Sequence, residues 1–397
     1  MKIGIAAIGR LSEDTGGKNY IVHFVRGIEQ MRPPHSFVLF VSDGEASKLG
    51  IEESEILKIV TIRNSSRTPL HKVFAEQIKL PRYIAHQNID VMYYPGNFVS
   101  LFSAVSAVVN IRSMAHCYPN YGVSGMRRIV RSIFMAPSAH KARAVITPSE
   151  DIKRDVIRFT KIDGAKIHVI PHGVDITLFD GVQNRNSTEG EAVLKRYHLT
   201  PGNYLLYVSA LWRYKRQDQL IRAHAELVKQ GFSDLKLVIV GKGTGTDKNY
   251  LDEIYSLPKS LGTDGLVVFT GALPQSDLRY LYANARAFVF PSSYESFGNP
   301  IFEAWASGIP IAVSNVHSFP DIAGDAALFF DPNDVRDIRD KILRLLSEAE
   351  LAQMLIQRGK ERVKSFTWEA TITRTLSLLE HVHLASKRSI FHPAAHD

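Results

Sequence analysis

Two glutamates with a glycine-bearing turn between them are the residues in this 397-residue chain best placed to do chemistry. In FVFPSSYESFGNPIFEAWASGIPIAV, residues 288–313, Glu295 and Glu303 are separated by seven residues, and Phe297-Gly298-Asn299-Pro300 lies inside that gap. The apolar run Phe288-Val289-Phe290 reads as a buried strand ending at Pro291, and the polar SSYES that follows cannot continue it. Asn299 reads as an N-cap and Pro300 as a helix-start proline, with Gly308 and Pro310 closing the helix. A small residue there lets the backbone approach a ligand, and the free N–H groups of the first turn make residues 297–299 an anion site. Carboxylates repel anions, so Glu295 and Glu303 should face hydroxyls. A nucleoside diphospho-sugar meets all three demands, with its diphosphate on the amides, its ribose on one glutamate and its hexose on the other.

Such a loop needs a sheet behind it, and the chain supplies two. Strand-like runs at 2–8, 36–41, 56–62, 89–95 and 106–111, then in ARAVIT and KIHVIP, alternate with segments of helical composition. A second alternating set opens at 203–211. This predicts α/β architecture with parallel sheets covered by helices, whose ligands lie beyond the carboxyl ends of the strands. The expected domains are 1–185, 186–365 and a terminal helix with its tail at 366–397, frayed after Ala385, with a cleft between the first two. The composition, 45% hydrophobic and 22% charged, is that of an ordinary globular protein. One cysteine, Cys117, excludes an internal disulfide and suits a reducing compartment. MKIGIAAIGR is too short an apolar run for a secretory leader, and no apolar stretch reaches the roughly 18–20 residues of a membrane span. The expected location is the cytoplasm.

Further residues invite chemistry. Gly16-Gly17, between the first strand and a helix, offers backbone amides to a phosphate. His116 and its neighbour Arg112 follow the strand at 106–111. Lys215, with Arg213 nearby, stands at a helix start, where a cation opposes the dipole unless an anion sits close. Gly241, Gly243 and Gly245 fit neither a P-loop nor a dinucleotide fingerprint, which disfavours kinases, ATPases and dehydrogenases. The net charge of +8 is concentrated between residues 126 and 166, with ten Lys and Arg against four acids. There Met126, Ile129, Val130, Ile133 and Phe134 share a helix face beside Arg127, Arg128 and Arg131. That face suits either the protein's own sheet or an anionic membrane surface.

ESFGNPIFE, in its strand–loop–helix setting, closely resembles the E-x7-E motif of the retaining family 4 glycosyltransferases of the GT-B fold. TGGKNY resembles that family's Gly-Gly loop, and Pro171-His172-Gly173-Val174-Asp175 its Pro-Asn-Gly-Val-Asp turn, with histidine for asparagine. The resemblance implies two Rossmann-like domains facing a central cleft, the first for the acceptor and the second for the donor. The C-terminal helix should return to the first. It implies catalytic roles for Glu295, His116 and Lys215, and donor contacts from Gly16, Gly17, Lys215, Leu273, Glu303 and the loop Glu295, Ser296, Phe297, Gly298 and Asn299. The family's phosphate-binding arginine falls on Ala210 here, so Arg213 is expected to stand in. No cofactor is implied, the donor being a GDP- or UDP-sugar, and no metal, since the chain has no Asp-x-Asp pair. The implied reaction is retaining hexosyl transfer, mannosyl transfer included, to a glycan or lipid-linked acceptor in surface polysaccharide or lipopolysaccharide synthesis, with no nucleic acid. A nucleotide-sugar epimerase of the same fold, turning over donor without acceptor, and a non-catalytic basic membrane or nucleic-acid adaptor are the alternatives.

Overall fold

The computed structural model of the chain describes residues 1–8, 16–63, 69–118, 121, 125–181, 185, 187–243 and 246–391, with residues 16, 69, 70, 72, 127 and 388–391 described by their backbone only. Gly245 and the rest of the tail beyond Phe391 lie outside the described residues. By its contacts the chain divides into two units, Met1–Gly173 with the chain from Thr367 onward, and Val174–Phe366.

The first unit holds seven parallel strands: β1 (Lys2–Ala7), β2 (Ser36–Ser42), β3 (Leu57–Ile62), β4 (Val91–Tyr94), β5 (Ala107–Asn110), β6 (Ala144–Thr147) and β7 (Ile167–Val169). Their order is β3-β2-β1-β4-β5-β6-β7. Strands such as VMYY and AVVN are buried at every position because helices cover both faces, which is why they read as apolar runs without alternation. The long C-terminal helix, Trp368–Phe391, gives Ile372, Leu376, Leu379 and Val382 to this unit's core. Its approach to the helix Gly16–Met31 depends on Gly27, where a Cβ would stand 2.2 Å from Cδ1 of Ile372. The expected return of this helix to the first unit is thus seen, and the helix continues beyond Ala385 to Phe391.

The second unit repeats the plan with β8 (Tyr204–Val208), β9 (Lys236–Val240), β10 (Val267–Gly271), β11 (Ala287–Phe290), β12 (Ile311–Ser314) and β13 (Leu328–Phe330), in the order β10-β9-β8-β11-β12-β13. All its pairings are parallel. Both sheets carry the doubly wound order, reversing direction between β1 and β4 in one and between β8 and β11 in the other.

The unit boundary falls earlier than the expected 185/186. Val174 N–H donates to the Phe366 carbonyl, and Phe179 is buried in the second core against Tyr282. The polar sequence from 187 to 202 lies within the second unit, with Val193, Leu194 and Leu199 in its core, and is not the crossing point.

The helix Gly125–Lys141 turns part of its apolar face outward. Met135, Ser138 and Ala139 are buried, while Met126, Ile129 and Ile133 are 48%, 53% and 58% exposed. No helix among the described residues is long and apolar enough to cross a membrane.

Candidate functional site

In a doubly wound sheet, loops leaving adjacent strands at the reversal point part to opposite sides and open a crevice. In the second unit these are the loops after β8 and β11, and they carry Lys215 and Glu295. The 310 turn Arg213–Lys215 ends the first loop, and Lys215 is almost wholly buried, its ammonium over the rings of Tyr214 (5.1 Å) and Phe290 (5.3 Å). Lys215 Nζ donates to Glu295 Oε1. Two residues eighty positions apart are thus brought into direct contact.

Lys215 does not itself begin a helix, as the sequence suggests. Arg216, at φ 57, caps the helix Gln217–Lys229 and turns the chain so that the lysine faces back to the sheet. The turn is clamped from beneath by Gln217, whose side-chain amide donates to the Tyr207 hydroxyl (2.8 Å) and the Ala210 carbonyl (3.0 Å) and accepts from Tyr250 (2.7 Å). Sequence reading missed Gln217, since nothing in the polar run RYKRQDQ marks it as fully buried.

Arg213 does not join Lys215. Its guanidinium pairs with Glu253 (3.1 Å) and Asp247 (3.7 Å) and stacks 4.6 Å over Tyr250. Two carboxylates on the neighbouring helix Lys248–Ser260 and its cap take the charge that was expected to face the diphosphate.

At the other loop, the N-cap of the helix Asn299–Ala306 is Gly298 and not Asn299. Gly298 has φ 81, a conformation that favours glycine, and Pro300 falls in the first turn, where its missing N–H costs nothing. Gly298 has no side chain with which to cap this terminus, and Phe297 is buried against Phe302 while Asn299 is exposed. Ser296 and Glu295 are half-buried beside it.

Glu303 lies one turn inside that helix, half-buried above Tyr282. Burial pushes its carboxyl up to about 7, and the Tyr282 phenol acts in the opposite sense. Leu273, in the loop between β10 and the helix Gln275–Asn284, is half-buried, with Ala272 exposed next to it.

With that geometry in hand, the chain can be set beside known proteins. The family pattern described as Glycosyl transferases group 1 matches residues 195–362, and that described as Glycosyltransferase Family 4 matches residues 15–178. O-antigen chain mannosyltransferase B of Escherichia coli is 30% identical over 290 residues, covering 72% of this chain and 74% of that protein. The chain belongs to the family 4 glycosyltransferases. A second E. coli relative, the serotype-specific mannosyltransferase WbdA, is 28% identical over 234 residues, which span 58% of this glycosyltransferase but only 28% of WbdA. Solved structures share its GT-B fold at lower identity. A Rickettsia africae glycosyltransferase aligns with TM-score 0.76 at 17% identity, covering 96% of this chain and 98% of that one. Anabaena HepE in complex with UDP-glucose aligns with TM-score 0.73 at 16%, covering 96% and 100%.

The first unit of the glycosyltransferase gathers a different set of groups at the carboxyl ends of its strands. Gly16 and Gly17 open the helix Gly16–Met31, and a Cβ on Gly17 would stand 3.0 Å from the Arg112 guanidinium. The Arg112 guanidinium lies 5.6 Å over the Tyr20 ring, and the Arg112 backbone N–H donates to Asn97 Oδ1 (2.9 Å). The Tyr20 and Tyr93 hydroxyls are 2.7 Å apart, and the Tyr20 ring meets His172 edge-on at 4.9 Å. Tyr20 and Tyr93 read as plain core residues in sequence, which is why they were missed. His116 is buried in the 310 turn Ala115–Cys117, with Nε2 3.4 Å from Cys117 Sγ and Nδ1 without a hydrogen-bond partner among the described residues. Burial, then Arg131 and Arg128, lower His116 to about 4, and burial, then Arg112, lowers His172 to about 3. Both imidazoles are neutral at neutral pH.

Proposed function

We propose that this glycosyltransferase moves a mannosyl residue from a GDP- or UDP-sugar to a glycan or lipid-linked acceptor, with retention of anomeric configuration, in the assembly of a surface polysaccharide. The observation that carries the reading is the Lys215–Glu295 contact across the reversal point of the second sheet, beside the glycine-capped helix start at Gly298. A donor's diphosphate would take the 297–299 amides and Lys215, which stabilise the departing nucleoside diphosphate without any carboxylate-held metal. Glu303 would accept from the ribose hydroxyls and Glu295 from the hexose, with the ammonium of Lys215 held between carboxylate and phosphate. The unpartnered Nδ1 of His116 would receive a donor or acceptor hydroxyl. The mannosyl specificity is supported by the two E. coli mannosyltransferase relatives. The proposed place of work is the cytoplasmic side of a membrane, touched by the outward face of the helix Gly125–Lys141.

Purified enzyme with a mannose-terminated acceptor and GDP-mannose, UDP-glucose or UDP-galactose tests this. Acceptor-dependent transfer from a mannosyl donor, unchanged by EDTA and giving the donor's anomeric configuration by NMR, is the expected result. Donor consumption without acceptor, an inverted product, or loss of activity with EDTA would each overturn the corresponding part.

A further inference from the structure

Gln217 is wholly buried, and none of the donor contacts proposed above uses it. It opens the helix Gln217–Lys229 directly behind Arg216, whose φ of 57 turns the chain over and sends the glutamine beneath the loop that carries Lys215. A buried amide is unfavourable unless its hydrogen bonds are met, and here three different elements meet them. Nε2 donates to the Tyr207 hydroxyl in β8 (2.8 Å) and to the Ala210 carbonyl in the loop (3.0 Å). Oε1 accepts from the Tyr250 hydroxyl in the helix Lys248–Ser260 (2.7 Å). An apolar side chain of the same size would fill the space. What the amide adds is a join between strand, loop and neighbouring helix.

That join bears on the ammonium. The loop at 209–216 is irregular, and its flanks are already tied. Leu211 N–H donates to the Lys242 carbonyl (3.0 Å), and the Ser293 N–H (2.8 Å) and hydroxyl (2.9 Å) both donate to the Tyr214 carbonyl. Gln217 holds the loop from below, at Ala210. Its partner Tyr250 also carries the Arg213 guanidinium 4.6 Å over its ring, and Arg213 begins the 310 turn that Lys215 ends. The Gln217–Tyr250 pair therefore holds the floor of the loop and the start of the turn together, and so decides where Lys215 Nζ stands beside Glu295. A displacement of about 1 Å in a group that meets the reacting atoms is enough to lower a rate about a hundredfold.

We propose that Gln217 is a positioning residue for the transfer reaction, acting through the 210–215 loop on Lys215. The inference rests on the reading that Lys215 meets the donor phosphate. The test is kcat and donor KM for transfer to a mannose-terminated acceptor by variants of the full chain, corrected for folded fraction by circular dichroism. The donor is whichever of GDP-mannose, UDP-glucose and UDP-galactose the unaltered enzyme uses. Q217L, which keeps the volume and removes the bonds, should lower kcat about ten- to a hundredfold while donor KM changes by less than about threefold. Y250F keeps the ring under Arg213, removes only the hydroxyl, and should lower kcat in the same sense by a smaller factor. H224L removes another wholly buried polar side chain of the same helix, one bonded to the Leu235 carbonyl (2.8 Å), and should lower the melting temperature with kcat unchanged. In a K215A background, Q217L should lower kcat no further.

A loss of kcat in H224L as large as in Q217L would leave Gln217 a structural role only and overturn the proposal, as would losses in Q217L and K215A that multiply. Unchanged kcat in Q217L, or in Y250F should Q217L not fold, with K215A still impaired, would overturn this proposal alone. An unimpaired K215A would overturn the donor reading and this proposal with it.

Discussion

In the second unit, the loops after β8 and β11 bring a lysine and a glutamate into contact beside a helix start capped by glycine. In the first, the same ends of a sheet of the same order collect an arginine, two phenols and two histidines held neutral by burial. One scaffold therefore presents two chemistries. Opposed charges beside a glycine-capped helix start suit a diphosphate with hydroxyls on either side, whereas neutral donors and acceptors around one guanidinium suit a sugar hydroxyl network. The strand order supplies the crevice, and only the loop residues decide what enters it.

The comparison breaks most visibly at Lys215. Lys215→Ala should lower kcat about 10²- to 10³-fold, the usual cost of removing a group that stabilises developing negative charge. Because Lys215 and Glu295 touch, the double variant with Glu295→Ala should fall short of the summed losses, and a strictly additive pair would show that they act apart.

Glu303→Gln should weaken donor binding about ten- to a hundredfold, in line with about 1.5–3 kcal/mol for a charged hydrogen bond. It also carries a pH signature. A carboxyl raised to about 7 is partly protonated near neutrality, and only its ionised form accepts from both ribose hydroxyls. Donor affinity of the unaltered enzyme should therefore rise from about pH 6 to about pH 8, with proton release on binding, and Glu303→Gln should flatten that rise. For the unliganded fold the sign is opposite. The raised group binds its proton more tightly when folded, so its contribution to stability falls as pH climbs from the unfolded carboxylate range through about 7.

On the first unit a smaller effect is expected. His116→Ala should reduce kcat/KM about tenfold or less, the worth of one neutral hydrogen bond. With His116 lowered to about 4, the pH–rate profile should show no limb from it between about pH 5 and about pH 8. A limb in that range that vanishes in the variant would contradict a neutral imidazole.

The smallest effect expected concerns the scaffold. Gly27→Ala sets a methyl against Ile372 and should lower the unfolding midpoint by a few degrees, consistent with about 1–3 kcal/mol for overpacking. Ile372→Val should recover part of it in the double variant, while donor binding by the second unit stays unchanged.

Much of this was readable from the chain. The fully buried strands announce themselves as apolar runs, and the prolines and glycines around 291–310 punctuate strand, loop and helix, so Glu295, Gly298 and Glu303 could be picked out before any fold was known. Placement of the cap was off by one, because a backbone at φ 81 is a glycine property that outranks asparagine's side-chain preference. The fate of Arg213 could not be read, since Glu253 and Asp247 reach it from a helix some forty residues on. Gln217 and Tyr20 were invisible for a related reason: burial of a polar side chain is decided by tertiary neighbours and leaves no local pattern. The helix Gly125–Lys141 is periodic in sequence, yet periodicity alone does not say which apolar side faces out.

A crystal structure of the glycosyltransferase with a bound nucleoside diphosphate is the most direct test of the central claim. The expected density places the diphosphate on the 297–299 amides and Lys215, with ribose hydroxyls on Glu303. A nucleotide seated elsewhere, with Lys215 still closed on Glu295 and Glu303 untouched, would contradict it.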